Sequence, residues 1–331
     1  MLAGILEYAS QAVAYSLLAA VTVELLLYAW RVQDPSPAIA FRLLVLTIPP
    51  VAPLIFATIA PERGAETFRK QGALLDLQNW LGPEPSATNP IWVLLLAAVG
   101  ATTILLIVLH AVGLLRRIRV GRPDGDASLL KPPPRLAEAV CRLADRGIRL
   151  PPVLLSSHQS PTAFTAGLRR PSILVSMAMV ELLDDEELEA VLAHEAAHVA
   201  RQDNWLGWLS FALRVVSFYN PVVQYTYHSI GHDVERVCDS EAGRVTGNPL
   251  ALASALIKVH MASRILPGAH TGWMYRASQR AAVLEDRARR TLVEDRAERL
   301  VHPEAARPTS YTGLRLVLAA AAVLGLCYFV V

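Results

Sequence analysis

Four stretches of the chain, residues 12–30, 41–60, 91–115 and 314–331, are apolar over roughly the length of a bilayer-crossing helix, which takes about 20 residues. Between the third and the last the periodicity shortens. Residues 134–146 carry apolar side chains at helical spacing, 153–156 and 172–175 are short apolar runs with β-branched residues, and Gly167 with Pro171 marks a turn between strands. The run DDEE at 184–187 predicts a helix start, with Asp184 as N-cap, Glu187 three residues on, and acidic side chains at the positive end of the helix dipole. Asn220-Pro221 and Asn248-Pro249 each set a cap before a proline suited to the first helical position, and they predict helices over 221–243 and 249–265. Residues 273–300 alternate Arg with Glu and Asp, the pattern of a solvated helix face with i,i+4 pairs. Residues 121–134, rich in Pro, Gly and Asp, read as a linker. The predicted fold is an α-helical membrane protein plus an α+β domain. It divides into a three-helix transmembrane region at 1–119, a soluble domain at 120–312 and a fourth transmembrane helix at 313–331.

Composition supports this. Of 331 residues, 53% are hydrophobic, a share that soluble proteins seldom reach. The first span lacks a small-residue cleavage site, so it reads as retained rather than as a signal peptide. Pro49, Pro50 and Pro53 should kink the second. Glu24, costly in lipid, is expected to face the bundle interior or reach the interface. Arg116, Arg117, Arg119 and Arg122 close the third span, Arg31 and Arg42 flank the first short loop, and the positive-inside rule assigns both places to the cytoplasm. The expected protein is multi-pass in a bacterial inner membrane, with both termini outside, an outer loop at 61–90, and 120–312 cytoplasmic. A net charge of +2, with no interleaving of basic and aromatic residues, gives no sign of direct nucleic-acid binding. Three scattered cysteines and no C-x-x-C pair leave His and carboxylate to hold any metal.

The helix predicted after Asp184 carries HEAAH, His194 to His198. Four residues apart on a helix, His194 and His198 share one face within reach of a single ion, and Glu195 points about 100° round from His194, able to hold a metal-bound water. Such a pattern arises by chance in about one chain in a hundred of this composition, so a third ligand decides the matter. A catalytic zinc takes three protein ligands and a water. The stretch YHSIGHDVERVCDSEA offers Glu235 as the favoured third ligand, with His228 and His232 as rivals, and Asp239 lies one turn on, suited to orient a ligating His. Tyr225, Tyr227, His228, Arg244 and His260 are open candidates for stabilising an oxyanion. Residues 172–176 are either an edge strand that pairs with an extended substrate or an internal strand of the sheet. Cys238 reads as a small buried residue.

The run SPTAFTAGLRRPSILVSMAMVELLDDEELEAVLAHEAAHVARQDN, followed by YNPVVQ and ERVCD, resembles the membrane zinc metallopeptidases of family 56. That family is best known from bacterial beta-lactam sensor-transducers that cleave a cytoplasmic repressor. The likeness is detailed over 153–239 and looser over the four-span layout. It implies a gluzincin-type zinc protease domain between transmembrane helices 3 and 4, with Zn2+ held by His194, His198 and Glu235. It further implies Glu195 as catalyst and Asp239 as the last member of an E-x-x-x-D motif. Family 48, which includes CAAX prenyl-protein and heat-shock membrane proteases, is related and shares both motifs. Its heat-shock members place spans between the motifs, whereas WLGWLSFALRVVSFY, interrupted by Arg214, is short for a span and favours family 56.

The function expected is that of an integral-membrane zinc metalloendopeptidase acting on a cytoplasmic or juxtamembrane protein. No penicillin-binding domain follows the last span, so the resemblance implies a repressor-cleaving, regulatory protease without its own sensor domain. Its expected partners are a winged-helix repressor or another membrane-associated substrate, the lipid bilayer, and a sensory membrane protein. The alternatives are a family-48-like quality-control or maturation protease and a non-catalytic zinc-binding signalling scaffold, whose site would be closed by a fourth protein ligand.

Overall fold

The computed structural model describes residues 2–65, 67–68, 101, 104, 108, 132–157, 159–265, 290–301 and 312–330. Almost all of the expected third span, most of the linker at 121–134, most of the outer loop and the first part of the charged stretch lie outside the described residues. In chain order the elements are α1 (Leu2–Ala29), α2 (Pro35–Ile59), α3 (Pro134–Asp145), β1 (Val153–Ser156), β2 (Ala163–Ala166), β3 (Ser172–Ser176) and α4 (Met177–Leu182). There follow α5 (Asp185–Ala200), α6 (Asp203–Val216), α7 (Pro221–Thr246), α8 (Pro249–Ile265) and α9 (Thr312–Tyr328). Residues 290–301 are also helical. The chain forms two compact units: Met1–Gly113 with Gly207–Val234 and Ala306–Val331, and Leu114–Leu206 with Glu235–Ala305. Gly207–Val234 thus groups with the apolar helices of the first unit.

In the first unit, Tyr8–Ala29 and Pro35–Ile59 are apolar and long enough to cross a membrane. The 17-residue α9 is shorter, about 26 Å at 1.5 Å per residue. Tyr15, Val23, Phe41, Val45 and Val323 form the shared core, while Leu17, Leu25, Leu54, Ile59 and Val317 face outward. An outer surface this apolar calls for an apolar surrounding. The α2 helix continues through its three prolines, and the Tyr8 hydroxyl of α1 donates to the Pro50 carbonyl at 2.6 Å, so a neighbouring helix serves a backbone acceptor in the proline-containing turns. Buried Arg63 donates to the carbonyls of Cys327, Tyr328 and Val330 and stacks on Phe56 and Tyr328, satisfying acceptors that the end of α9 would leave orphaned. Glu24 is paired with Arg42 at 2.9 Å, and Arg42 also binds Asp233.

The second unit holds a three-stranded sheet of order β1-β3-β2, with β1 parallel and β2 antiparallel to β3. Residues 172–176 are therefore the central strand, and the reading of that segment as a substrate-pairing edge is corrected, since both its sides are already hydrogen-bonded. The edge beside it is β2, whose short, half-buried AFTA run carried no strand signal of its own. In the turn between β2 and β3, Gly167 has φ +96°, and a Cβ there would sit 2.5 Å from the Arg170 carbonyl oxygen. Gly167→Ala should destabilise the protein by about 1–3 kcal/mol, read as a lower denaturant midpoint; an unchanged midpoint would mean the hairpin relaxes freely.

Helix α5 begins at the expected capping box: Asp184 Oδ1 accepts from Glu187 N and Glu187 Oε2 accepts from Asp184 N, both at 2.9 Å. Its alanines answer to packing on every side, as α3, α8 and the sheet all press on it and Leu188, Ala190, Val191, Leu192, Ala193, Ala196 and Ala197 are buried. The polar side chains drawn in with them are paired, Glu189 with Arg142 and Arg146 at 2.7 and 3.1 Å and Glu187 with Lys258 at 2.6 Å, as buried charge requires. The two Asn-Pro caps are also in place, with Asn220 Oδ1 accepting from Val222 N and Asn248 Oδ1 from Ala251 N, each at 3.1 Å. Helix α7 runs three residues past its expected end and stops at Gly247, φ +68°.

Candidate metal centre

Helix α5 carries His194 and Glu195 as buried residues and His198 as a partly buried one. The two imidazoles meet edge to face with their Nε2 atoms 3.2 Å apart. From α7, Glu235 Oε2 stands 3.5 Å from His194 Nε2 and Oε1 3.8 Å from His198 Nε2. All three donors lie within 4.8 Å of one another. Two nitrogens bound about 2.05 Å from one tetrahedral zinc are about 3.3 Å apart, so the imidazole pair already has the spacing of a shared ion.

Each imidazole meets a carboxylate at its other nitrogen. His194 Nδ1 is 3.0 Å from Asp239 Oδ1, and His198 Nδ1 is 3.0 Å from Asp203 Oδ2. In the neutral ring, a proton held at Nδ1 leaves Nε2 as the free donor, which is the tautomer a metal needs. Asp239 was expected in this place, one turn beyond Glu235. Asp203 was not, although its position was readable: five residues after His198, it follows the turn at Gln202, φ +57°, that ends α5. Asp203→Asn should lower metal affinity about 10- to 100-fold, measured by competition with a chelator of known strength; equal affinity would remove Asp203 from the site.

The charges around the donors are strongly coupled. Burial by itself would push His194 down, but the Asp239 and Glu235 carboxylates raise it to about 10. Burial would raise Glu235, yet His194, Arg296 and His198 hold it well below the usual carboxylate range. Asp239 is held low against the same burial by Arg296 and His194. Arg296 binds Asp239 in a fork, at 2.7 Å through Nε and 2.6 Å through Nη2, and reaches Glu235 Oε2 at 3.0 Å through Nη1. It belongs to the charged stretch expected to be a solvated face. Arg290–Glu294 and Asp295–Arg299 are the i,i+4 surface pairs foreseen there, whereas Arg296 turns inward.

Glu195 Oε2 accepts a hydrogen bond from Thr165 Oγ1 of β2 at 2.9 Å, a contact no sequence spacing announced. Cys238 Sγ lies 3.4 Å from both His198 Nδ1 and Asp203 Oδ2 and makes a second donor group with them. Burial and the nearby Asp203 push its thiol upward, keeping it protonated and a poor ligand. Among the described residues neither donor group includes His228 or His232. Of the oxyanion candidates, Arg244 is a surface residue forked onto Glu241, and Tyr225 is largely exposed.

Two histidines one turn apart on a helix, a glutamate between them and a carboxylate from a later helix together make the donor arrangement of an HExxH metallopeptidase. Comparison with known proteins gives the particular family: the profile described as BlaR1 peptidase M56 matches residues 44–284, and the chain belongs to this family. Among curated relatives, the protease HtpX homologue of Thermodesulfovibrio yellowstonii is 27% identical over 172 residues, 40% of this chain and 61% of that protein. Those of Gemmatimonas aurantiaca and Trichormus variabilis are 29% and 30% identical over 168 and 173 residues, each covering 40% of this chain and 60% of the relative. These matches span about three fifths of the relatives' own length, and they accord with the kinship to family 48 read from the sequence.

Proposed function

We propose that the protein is an integral-membrane zinc metalloendopeptidase. The observation that carries this reading is the convergence of His194 Nε2, His198 Nε2 and Glu235 on one point with Glu195 beside them on the same helix. His194, His198 and Glu235 would hold the ion, which would polarise a scissile carbonyl and acidify a bound water. Glu195, tethered by Thr165, is placed to serve as general base toward an attacking water and then as general acid toward the departing amine. Asp239 and Asp203 keep both imidazoles oriented. The outer edge of β2, unpaired among the described residues and next to Glu195, suits an extended peptide added as a further strand. Among the described residues this donor group has three members, the count of an open, catalytic site, which favours an enzyme over a closed structural one.

The four-span layout, the division at 1–119, 120–312 and 313–331, and the gluzincin-type domain facing the cytoplasm remain part of this proposal. So does the substrate: a cytoplasmic or juxtamembrane protein, with a winged-helix repressor as the choice the family likeness favours and a separate membrane protein as sensor. Comparing the N-termini of cellular proteins between cells with the native chain and cells with Glu195→Gln tests it. New N-termini present only with the native chain are expected, and identical sets would overturn the assignment.

A further inference from the structure

From Gly207 onward α6 is inside out. Ser210 and Arg214, and Ser217 in the turn beyond, are buried at 1–2% exposure, while Trp208, Leu209, Val215 and Val216 are 41–64% exposed. At about 100° per residue the centres of these two faces lie about 170° apart, the reverse of a helix packed in water. The buried charge faces protein: Arg214 Nε donates to Gln224 Oε1 at 2.5 Å and the guanidinium lies 4.7 Å from the Tyr227 ring centroid, while Arg214 Nη1, Ser210 Oγ, Ser217 Oγ and Gln224 Nε2 are buried without a hydrogen-bond partner among the described residues. That is how a charged side chain sits at membrane depth, turned toward protein.

Independent contacts place the same segment beside α1. Asn220, between α6 and α7, donates through Nδ2 to Ser16 Oγ at 2.8 Å and to the Ala12 carbonyl at 3.3 Å. Both partners lie inside the membrane-length stretch Tyr8–Ala29. Val222 packs on the core shared by α1, α2 and α9. Farther along α7, Asp233 binds Arg42, which holds Glu24 of α1. Between Asn220 and Asp233, about 20 Å of helix, α7 therefore follows α1 from Ser16 to the level of Glu24.

We propose that Gly207–Val234 is a helical hairpin that re-enters the bilayer beside α1, with Trp208, Leu209, Val215 and Val216 against lipid acyl chains. It breaks the stretch expected to be cytoplasmic, and it rests on the reading of α1 as a membrane span. Spin labels on Leu209→Cys and Val216→Cys, in the full chain carrying Cys141→Ser and reconstituted in phospholipid nanodiscs, test it. Leu25→Cys on the exposed side of α1 is the lipid control and Glu298→Cys the water control; the protein without an added cysteine gives the background from buried Cys238 and Cys327. Labels at 209 and 216 should match Leu25→Cys in high oxygen and low nickel-chelate accessibility. Accessibility like that of Glu298→Cys overturns the hairpin, and closure to both reagents overturns it in favour of a protein partner on this face. A water-exposed Leu25→Cys would instead bring down the membrane reading and the hairpin together.

Discussion

Glu195→Gln should lower proteolysis by about 10²- to 10⁴-fold, the range general acid–base catalysis supplies, while leaving the metal content of the purified protein unchanged. The separation follows from geometry. Glu195 is outside the three-member donor group, so the metal keeps His194, His198 and Glu235. Gln is isosteric, and its carbonyl oxygen can still accept the hydrogen bond from Thr165 Oγ1. What it loses is the ability to take a proton. Cleavage of a model peptide and metal content by mass spectrometry, on the same preparation, decide the matter. Native-like cleavage would show that the base is another group, and a metal-free variant would make Glu195 a ligand.

Much of this centre was legible because it is written in local rules. The Asp184 capping box fixes where α5 begins, HEAAH then falls on one helix face by periodicity, and the Asn220 and Asn248 caps mark the next two helices. Glu235 and Asp239 could be paired with HEAAH because both lie on one face of a predicted helix. What stayed hidden depends on packing between distant segments. Arg296 has the same neighbours in sequence as the arginines around it, and only the fold turns it onto Asp239. Thr165 sits in a four-residue strand too short to show alternation, and without β2 the central strand β3 could be taken for an edge. The hairpin escaped for a different reason: α6 is too short for a span, and hydropathy over its length does not show that its polar side is the buried one.

The second large effect should come from Asp239→Ala. Its carboxylate is buried, forked by Arg296 and set against His194 Nδ1, so truncation strands a guanidinium and frees an imidazole at once. Breaking one partner of a buried pair costs about 3–5 kcal/mol, and loss of the orienting carboxylate should weaken metal binding about 10- to 100-fold. Denaturant unfolding of the metal-free protein and chelator competition of the loaded one read the two separately. The remaining contact from Arg296 to Glu235 at 3.0 Å will soften the first effect, and the double variant Asp239→Ala with Arg296→Ala should cost less than the sum of the singles. Acid and base should both destabilise this cluster, by opposite proton transfers. Asp239 and Glu235 are held low, so their contribution is present above the ordinary carboxylate range and is lost as pH falls through their depressed values. His194, raised to about 10, contributes fully below its unfolded value of about 6.5 and less as pH climbs toward 10. The metal-free protein should therefore be most stable between about pH 5 and 6.5, and Asp239→Ala should flatten both flanks. Flanks that survive the substitution unchanged would show that the pH dependence originates outside this cluster.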